Sequence, residues 1–285
     1  MALRTMTSAD IPAGLRLNQL AGWNQTEGDW DRFLEVSPQG CFVTEVDGQV
    51  CGTVTTVSFE RRFAWIGMVL VDPQCRGRGI GTSLLERAIE HLHACNVQTM
   101  KLDATPQGKP LYNRLGFVEE YEIERWTLRR SASEARKAVD IGCSASPSPA
   151  LPQSILEADR EIFGADRSFL LKSLHEDAPG FTIAIWHDGV LGGYTFGRRG
   201  LFADHLGPWM AKDAASAQHL LETFLARSAR ETLIVDCLKS NCVASDLLKA
   251  FGFTYSRPLT RMYRGPNHHP GRPDVLCAIL GPEFG

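Results

Sequence analysis

One stretch decides the reading of the chain: Met68-Val69-Leu70-Val71-Asp72-Pro73-Gln74-Cys75-Arg76-Gly77-Arg78-Gly79-Ile80-Gly81-Thr82-Ser83-Leu84-Leu85. An apolar strand ends at Asp72-Pro73, and Leu84, Leu85, Ala88, Ile89 and Leu92 then recur at helical spacing. Three glycines therefore sit on a strand-to-helix turn. Glycine lets backbone approach a ligand closely, and the N–H groups at a helix start form a concave, positive site for phosphate. The turn is expected to hold a diphosphate. A dinucleotide fingerprint needs GxGxxG, whereas Gly77-x-Gly79 is followed here by Gly81 and Thr82. A P-loop fails as well, because no Gly-Lys-Ser/Thr follows.

Working outward, 285 residues read as two domains. Thirty Lys and Arg against 33 Asp and Glu give a net charge of −3. No basic run is longer than a pair such as Arg129-Arg130, so no nucleic-acid partner is expected. Apolar stretches such as Trp65 to Val71 fall short of the ~20 residues that span a bilayer, and Met1-Ala2-Leu3-Arg4 does not open a signal peptide. No membrane partner is expected, and a cytoplasmic location is. The eight cysteines are scattered without CxxC pairs, which argues against a zinc ribbon or a disulfide framework. His91 and His93 point to different faces of a helix, and His268-His269 lies in a Pro/Gly-rich tail, so no metal site is expected.

The chain turns small and polar around Ser144-Ala145-Ser146-Pro147-Ser148-Pro149. This places a first domain at residues 1–130, a linker at 131–150 and a second domain at 151–285. A weak internal repeat relates the two. The hairpin at Asp47-Gly48 matches one at Asp188-Gly189, Trp65-Ile66-Gly67 matches His205-Leu206-Gly207, and Met100-Lys101-Leu102-Asp103 matches Leu233-Ile234-Val235-Asp236. Two copies of one α/β fold are expected.

What fits the glycine turn is R-x-x-G-x-G, read as Arg76-x-x-Gly79-x-Gly81 after a Val-x-Asp-Pro strand end. Further on comes Leu111-Tyr112-Asn113-Arg114-Leu115-Gly116-Phe117. There Pro110 suits a first helical turn, Leu111 and Leu115 share a face, and Gly116 suits a left-handed cap. Together these segments resemble the acetyl-coenzyme A motif and the LYxxLGF segment of the GCN5-related N-acetyltransferases, the GNAT superfamily. The resemblance implies an α/β protein of two tandem GNAT-like domains, each a mixed, splayed β-sheet flanked by helices. It implies that Val69, Leu70 and Val71 offer backbone groups to the pantetheine arm and acetyl carbonyl of acetyl-coenzyme A, the co-substrate. Arg76, Gly77, Arg78, Gly79, Ile80, Gly81 and Thr82 would hold its diphosphate. Tyr112 would be the general acid for the departing thiolate; the competing reading is an aromatic that only packs on the sheet.

An alkyl amine with a pKa of ~10 arrives protonated and needs a base. Many members place Glu or His on the fourth strand, where this sequence has Trp65, Ile66 and Gly67. Asp103 on the fifth strand and Glu60 at the end of the third are the candidates, with Asp103 equally readable as an acceptor fixing the loop from Thr105 to Pro110. Trp23, Asn24 and Trp30, between the first two helices, are the candidate substrate residues. The alternative is that Thr26 or Asp29 caps the next helix while the tryptophans pack. The second half has no R-x-x-G-x-G, and a single coenzyme site is expected. Its polar set Asp166, Arg167, Arg261, Tyr263 and Arg264 would either reach the acceptor, with Arg261 gripping an acid group, or form a buried ion-pair network. The implied function is transfer of acetyl to the primary amine of a small molecule. The rival is a non-catalytic acyl-coenzyme A binding or sensing protein.

Overall fold

A computed structural model describes residues 1–135 and 151–285, so most of the expected 131–150 linker lies outside the described residues. The chain divides into two compact units that do not follow the sequence boundary. The first comprises Met1–Glu119, Met262–His268 and Phe284; the second comprises Glu120–Arg261, His269–Glu283 and Gly285.

In the first unit, β1 (Ala2–Thr5), β2 (Phe42–Val46), β3 (Gln49–Phe59), β4 (Phe63–Val71) and β5 (Met100–Ala104) lie side by side in sequence order. The first four are antiparallel neighbours, and β4 and β5 run parallel. Asp47 and Gly48 take φ of 51° and 78°, the left-handed pair that a two-residue hairpin needs. On one face lies α3 (Ile80–Ala94), which buries Leu84, Leu85, Ala88 and Leu92 against Val54, Ala64, Ile66, Met100 and Leu102. Each buried leucine contributes roughly 1.5–3 kcal/mol. Helices α1 (Ile11–Ala21) and α2 (Glu27–Val36) pack on each other and on the sheet, while α4 (Lys109–Arg114) follows β5.

The second unit repeats the plan. Helices α5 (Gln153–Phe163) and α6 (Ser168–Asp177) precede β7 (Ile183–His187), β8 (Val190–Arg199) and β9 (Asp204–Ala211). Then come α7 (Ala214–Arg227), β10 (Thr232–Leu238) and α8 (Cys242–Ala250). The hairpin at Asp188 and Gly189 has φ of 50° and 80°, the same device as in the first unit.

The units differ from the sequence reading in their last strands. β6 (Val118–Arg129), contiguous with the first half, lies from Glu120 onward in the second unit, where it pairs antiparallel with β10 from Thr232↔Arg129 to Leu238↔Ile123. Of β11 (Thr254–Arg264), residues 254–261 belong to the second unit, whereas Met262–Arg264 belong to the first and lie beside β5. Side-chain complementarity selects these partners. Trp126 packs in the core with Leu233 and Val235, and Met262 packs in the core of α3.

Candidate active site

The site begins where a ladder stops. Among the described residues, β4 and β5 form two register pairs, Ala64↔Met100 and Trp65↔Lys101, while β4 continues to Val71 on β3 alone. Past Trp65, the side of β4 that faced β5 no longer has a strand partner. A bulge re-aims β4 at this point: Met68 takes φ of 49°, and its carbonyl accepts from Thr53 Oγ1 at 2.8 Å. Val69 and Val71 are half-buried and Leu70 is buried.

β4 leads directly into the glycine turn. Asp72 accepts from Gln74 N at 3.0 Å and from Arg16 Nη1 of α1 at 2.5 Å. The Arg16 guanidinium, which also donates to Val50 O at 2.8 Å, and the Gln74 amide hold the Asp72 carboxyl below the usual carboxylate range. Arg16 was not singled out from the sequence; pairing across 56 residues leaves no local signal. Arg76 Nε donates to Val71 O at 3.2 Å, fixing the turn to the strand end. Gly77 and Gly79 take φ of 77° and 79°, and residues 76–79 are exposed. Gly79 caps α3 without a side-chain hydrogen bond, so the first-turn amides of α3 have no side-chain acceptor at the cap. Ile80 is 1% exposed and anchors the turn, with Gly81 and Thr82 half-buried beside it. This exposed, uncapped, positive-φ turn suits a diphosphate.

Tyr112 lies on α4 and is 8% exposed, with its ring edge-on to Phe117 at 6.1 Å. A Cβ on Gly108 would come within 2.8 Å of the tyrosine ring, so the glycine admits it. Burial pushes the phenol well above its ordinary pKa and keeps it protonated. Asp103 is half-buried on β5, two residues past the last β4–β5 pair, level with Gly67 on β4. Glu60 sits in the β3–β4 turn near Arg62, at the opposite end of β4 from the divergence. At about 3.3 Å per strand residue, the four steps from Phe63 to Gly67 separate those ends by about 13 Å.

Between α1 and α2, Thr26 and Asp29 form a reciprocal cap: Asp29 Oδ2 accepts from Thr26 N at 2.8 Å and Thr26 Oγ1 accepts from Asp29 N at 3.4 Å. Trp30 is fully buried, and a Cβ on Gly14 already meets its ring at 2.8 Å. Its position is that of a packing residue between the helices. Asn24 is buried and Trp23 half-buried, its backbone amide donating to Asn18 O at 2.9 Å.

Most of the expected polar set has partners within its own unit. Arg167 grips Asp159 with two bonds of 2.8 and 2.9 Å and stacks on Phe163, all buried. Asp166 accepts from Ser168 N at the start of α6. Arg261, 5% exposed, donates to Tyr121 Oη at 2.5 Å and lies over that ring. Arg264 lies 2.9 Å from His93 Nε2, and Tyr263 is half-buried. The ion-pair reading describes Arg167 directly. No helix among the described residues is long and apolar enough to cross a membrane.

A parallel pair that parts beside a glycine turn, with a buried tyrosine on the following helix, is the arrangement expected from the resemblance to the GNAT acyltransferases. Comparison with known proteins agrees: the pattern of the Acetyltransferase (GNAT) family matches residues 14–117, and that of the Acetyltransferase (GNAT) domain matches residues 155–276. The chain belongs to the GNAT family and is an acyltransferase with two GNAT domains in tandem. It is similar to a holothin acyltransferase from Pseudoalteromonas sp., 28% identical over 267 residues that cover 92% of this chain and 87% of that one. It is also similar to a mycothiol acetyltransferase from Acidimicrobium ferrooxidans, 31% identical over 140 residues covering 44% of this chain and 45% of that one. A solved structure from Pyrococcus horikoshii, 23% identical, shares the fold with a TM-score of 0.81 and covers 100% of this chain and 95% of its own.

Proposed function

We propose that the chain moves acetyl from acetyl-coenzyme A to the primary amine of a small molecule, with the chemistry in the first unit. The observation that carries this reading is the β4–β5 divergence running straight into an uncapped glycine turn at α3. The small-molecule acceptor is supported by the relatives that act, by name, on holothin and mycothiol.

The strand groups of Val69, Leu70 and Val71 would align the thioester, and the amides from Gly77 to Thr82 would hold the diphosphate. Asp103 takes a proton from the ammonium. The freed nitrogen lone pair attacks the thioester carbonyl carbon, a C–N bond forms, and the C–S bond breaks with its electron pair leaving on sulfur. Tyr112 donates its phenolic proton to that thiolate, and the second proton that the nitrogen sheds on becoming an amide passes through solvent to the phenolate and restores the phenol. Burial keeps the phenol protonated across the neutral range, so the proton is present to be given. Trp23 and Asn24 are the acceptor-side residues in this scheme; Trp30 supports them by fixing α1 against α2.

The test is release of free thiol from acetyl-coenzyme A across amino acids, polyamines, aminoglycosides and peptide N-termini. Turnover with a small amine is expected. Turnover with peptide N-termini alone would refute the acceptor class, and none with any amine would refute the transfer.

A further inference from the structure

The second unit has the same parting of parallel strands as the first, and it is filled. β9 and β10 pair in parallel through Leu233↔Asp204, Ile234↔His205 and Val235↔Leu206. Beyond that point β12 (Leu276–Ala278) lies between them, antiparallel to both, with Leu276↔Met210 and Ala278↔Trp209 on one side and Cys237↔Ala278 on the other. The ladder continues at each end, where Ala211 N donates to Val275 O at 3.3 Å and Ile279 N donates to Asp236 O at 3.0 Å.

The surroundings are built for this occupant. Asn241 Nδ2 donates to Leu276 O at 3.2 Å. A Cβ on Gly207 would lie 2.0 Å from Ile279 O, so only glycine lets the segment in. Glu283, which follows on the same segment, forms a buried ion pair with Arg198 of β8. Counted from the first matched pair of each strand, Met100 on β5 and Leu233 on β10, Asp103 and Asp236 both lie three residues on. There Asp236 is bound by Arg125 at 2.7 and 2.8 Å, with His205 Nε2 3.1 Å away. A carboxylate so neutralised and buried is not available as a base.

We propose that Val275–Ile279 is a built-in stand-in for the pantetheine arm: it meets the backbone groups that a coenzyme would meet, and makes the second unit a closed site that is rigid without ligand. The comparison with a coenzyme rests on the function proposed for the first unit. The physical reason is that parallel strands which part leave N–H and C=O groups that must find partners, from a ligand or from the chain itself.

Hydrogen exchange of the full chain, with and without acetyl-coenzyme A, tests this. Segment 276–279 and strand 205–211 are expected to be protected at least tenfold beyond an exposed tail before coenzyme is added, and unchanged after; segment 67–83 is expected to gain protection. Fast exchange at 276–279, or a change there on adding acetyl-coenzyme A, overturns the proposal. Protection at 276–279 with no gain at 67–83 supports the internal strand and removes the coenzyme reading of the first unit instead. Two variants provide a check. Gly207→Val should expel the segment, and Glu283→Gln, which keeps shape and size, should speed exchange at 276–279 several-fold while leaving 67–83 as in the parent. Parent-like exchange at 276–279 in a folded Gly207→Val protein would also overturn it.

Discussion

Replacing Tyr112 with phenylalanine isolates a single proton. The ring is held by Gly108 and Phe117, and phenylalanine keeps both contacts, so the fold should change by no more than about 1 kcal/mol, whereas truncation to alanine would cost ~3–5 kcal/mol. If the hydroxyl protonates the thiolate, its loss should slow turnover by ~10²–10⁴-fold, equivalent to about 2.7–5.5 kcal/mol of barrier. That range lies well above the stability change, and this gap makes the assay decisive. Burial raises the phenol's pKa above its unfolded value near 10, so its linkage to stability is complete below pH ~10 and lost only as pH rises beyond it. Assays between pH 7 and 9 therefore compare two proteins free of that effect. Thiol release should be measured beside calorimetric affinity for acetyl-coenzyme A and a melting curve. Near-normal turnover in a folded Tyr112→Phe protein would refute the proton-donor role, and a matched loss of melting temperature and activity would return the residue to packing.

Further outcomes follow from the same geometry. A Cβ on Gly81 meets Val71 and Leu111 at an ordinary 3.6 Å, so Gly81→Ala should fold with a melting temperature close to the parent yet bind acetyl-coenzyme A at least tenfold more weakly; unchanged calorimetric affinity would remove the turn from the phosphate site. Asp103→Asn should lower turnover by ~10²–10⁴-fold at neutral pH, with the deficit shrinking as pH approaches the amine's own pKa of ~10; a pH-independent deficit would assign Asp103 to holding its loop. Asp236→Asn leaves the half-buried Arg125 without its charge partner and should cost the second unit ~3–5 kcal/mol, read as denaturant midpoint. Burial alone would raise the Asp236 carboxyl, but Arg125 and His205 outweigh it and hold the pKa far below the unfolded value near 3.9. The stability Asp236 contributes is thus fully present above pH ~4 and lost as pH falls below it, and Asp236→Asn should flatten that acid limb.

The tandem plan was legible because its signals are local. The Asp-Gly hairpins, the helical spacing from Leu84 to Leu92 and the left-handed cap at Gly116 each follow from a few neighbouring residues. The glycine turn was legible for the same reason. Arg16 was not, since its partner Asp72 is brought near only by packing α1 against β3 and β4. Trp30 stayed open between binding and packing because two tryptophans near a loop suit either, while the contact that bears on it, Gly14 one helix away, is tertiary. The three residues of β12 are too short for any periodicity to register, and Cys277 and Ala278 carry no strand signature of their own. The exchange of last strands was invisible for another reason: a strand's own residues do not name its partner.

That exchange makes the order of synthesis matter. On the side of β5 away from β4 the first unit has no strand until Met262 to Arg264 have been made, although the glycine turn and Tyr112 emerge more than a hundred residues earlier. A nascent first half therefore carries its complete motif on an open sheet edge, with β6 already present and its partner β10 still to come. Late, long-range closure of this kind is slow and prone to association. A gene cut at the Ser-Pro stretch would separate two pieces that each lack a strand, so the unit of inheritance here is the whole tandem.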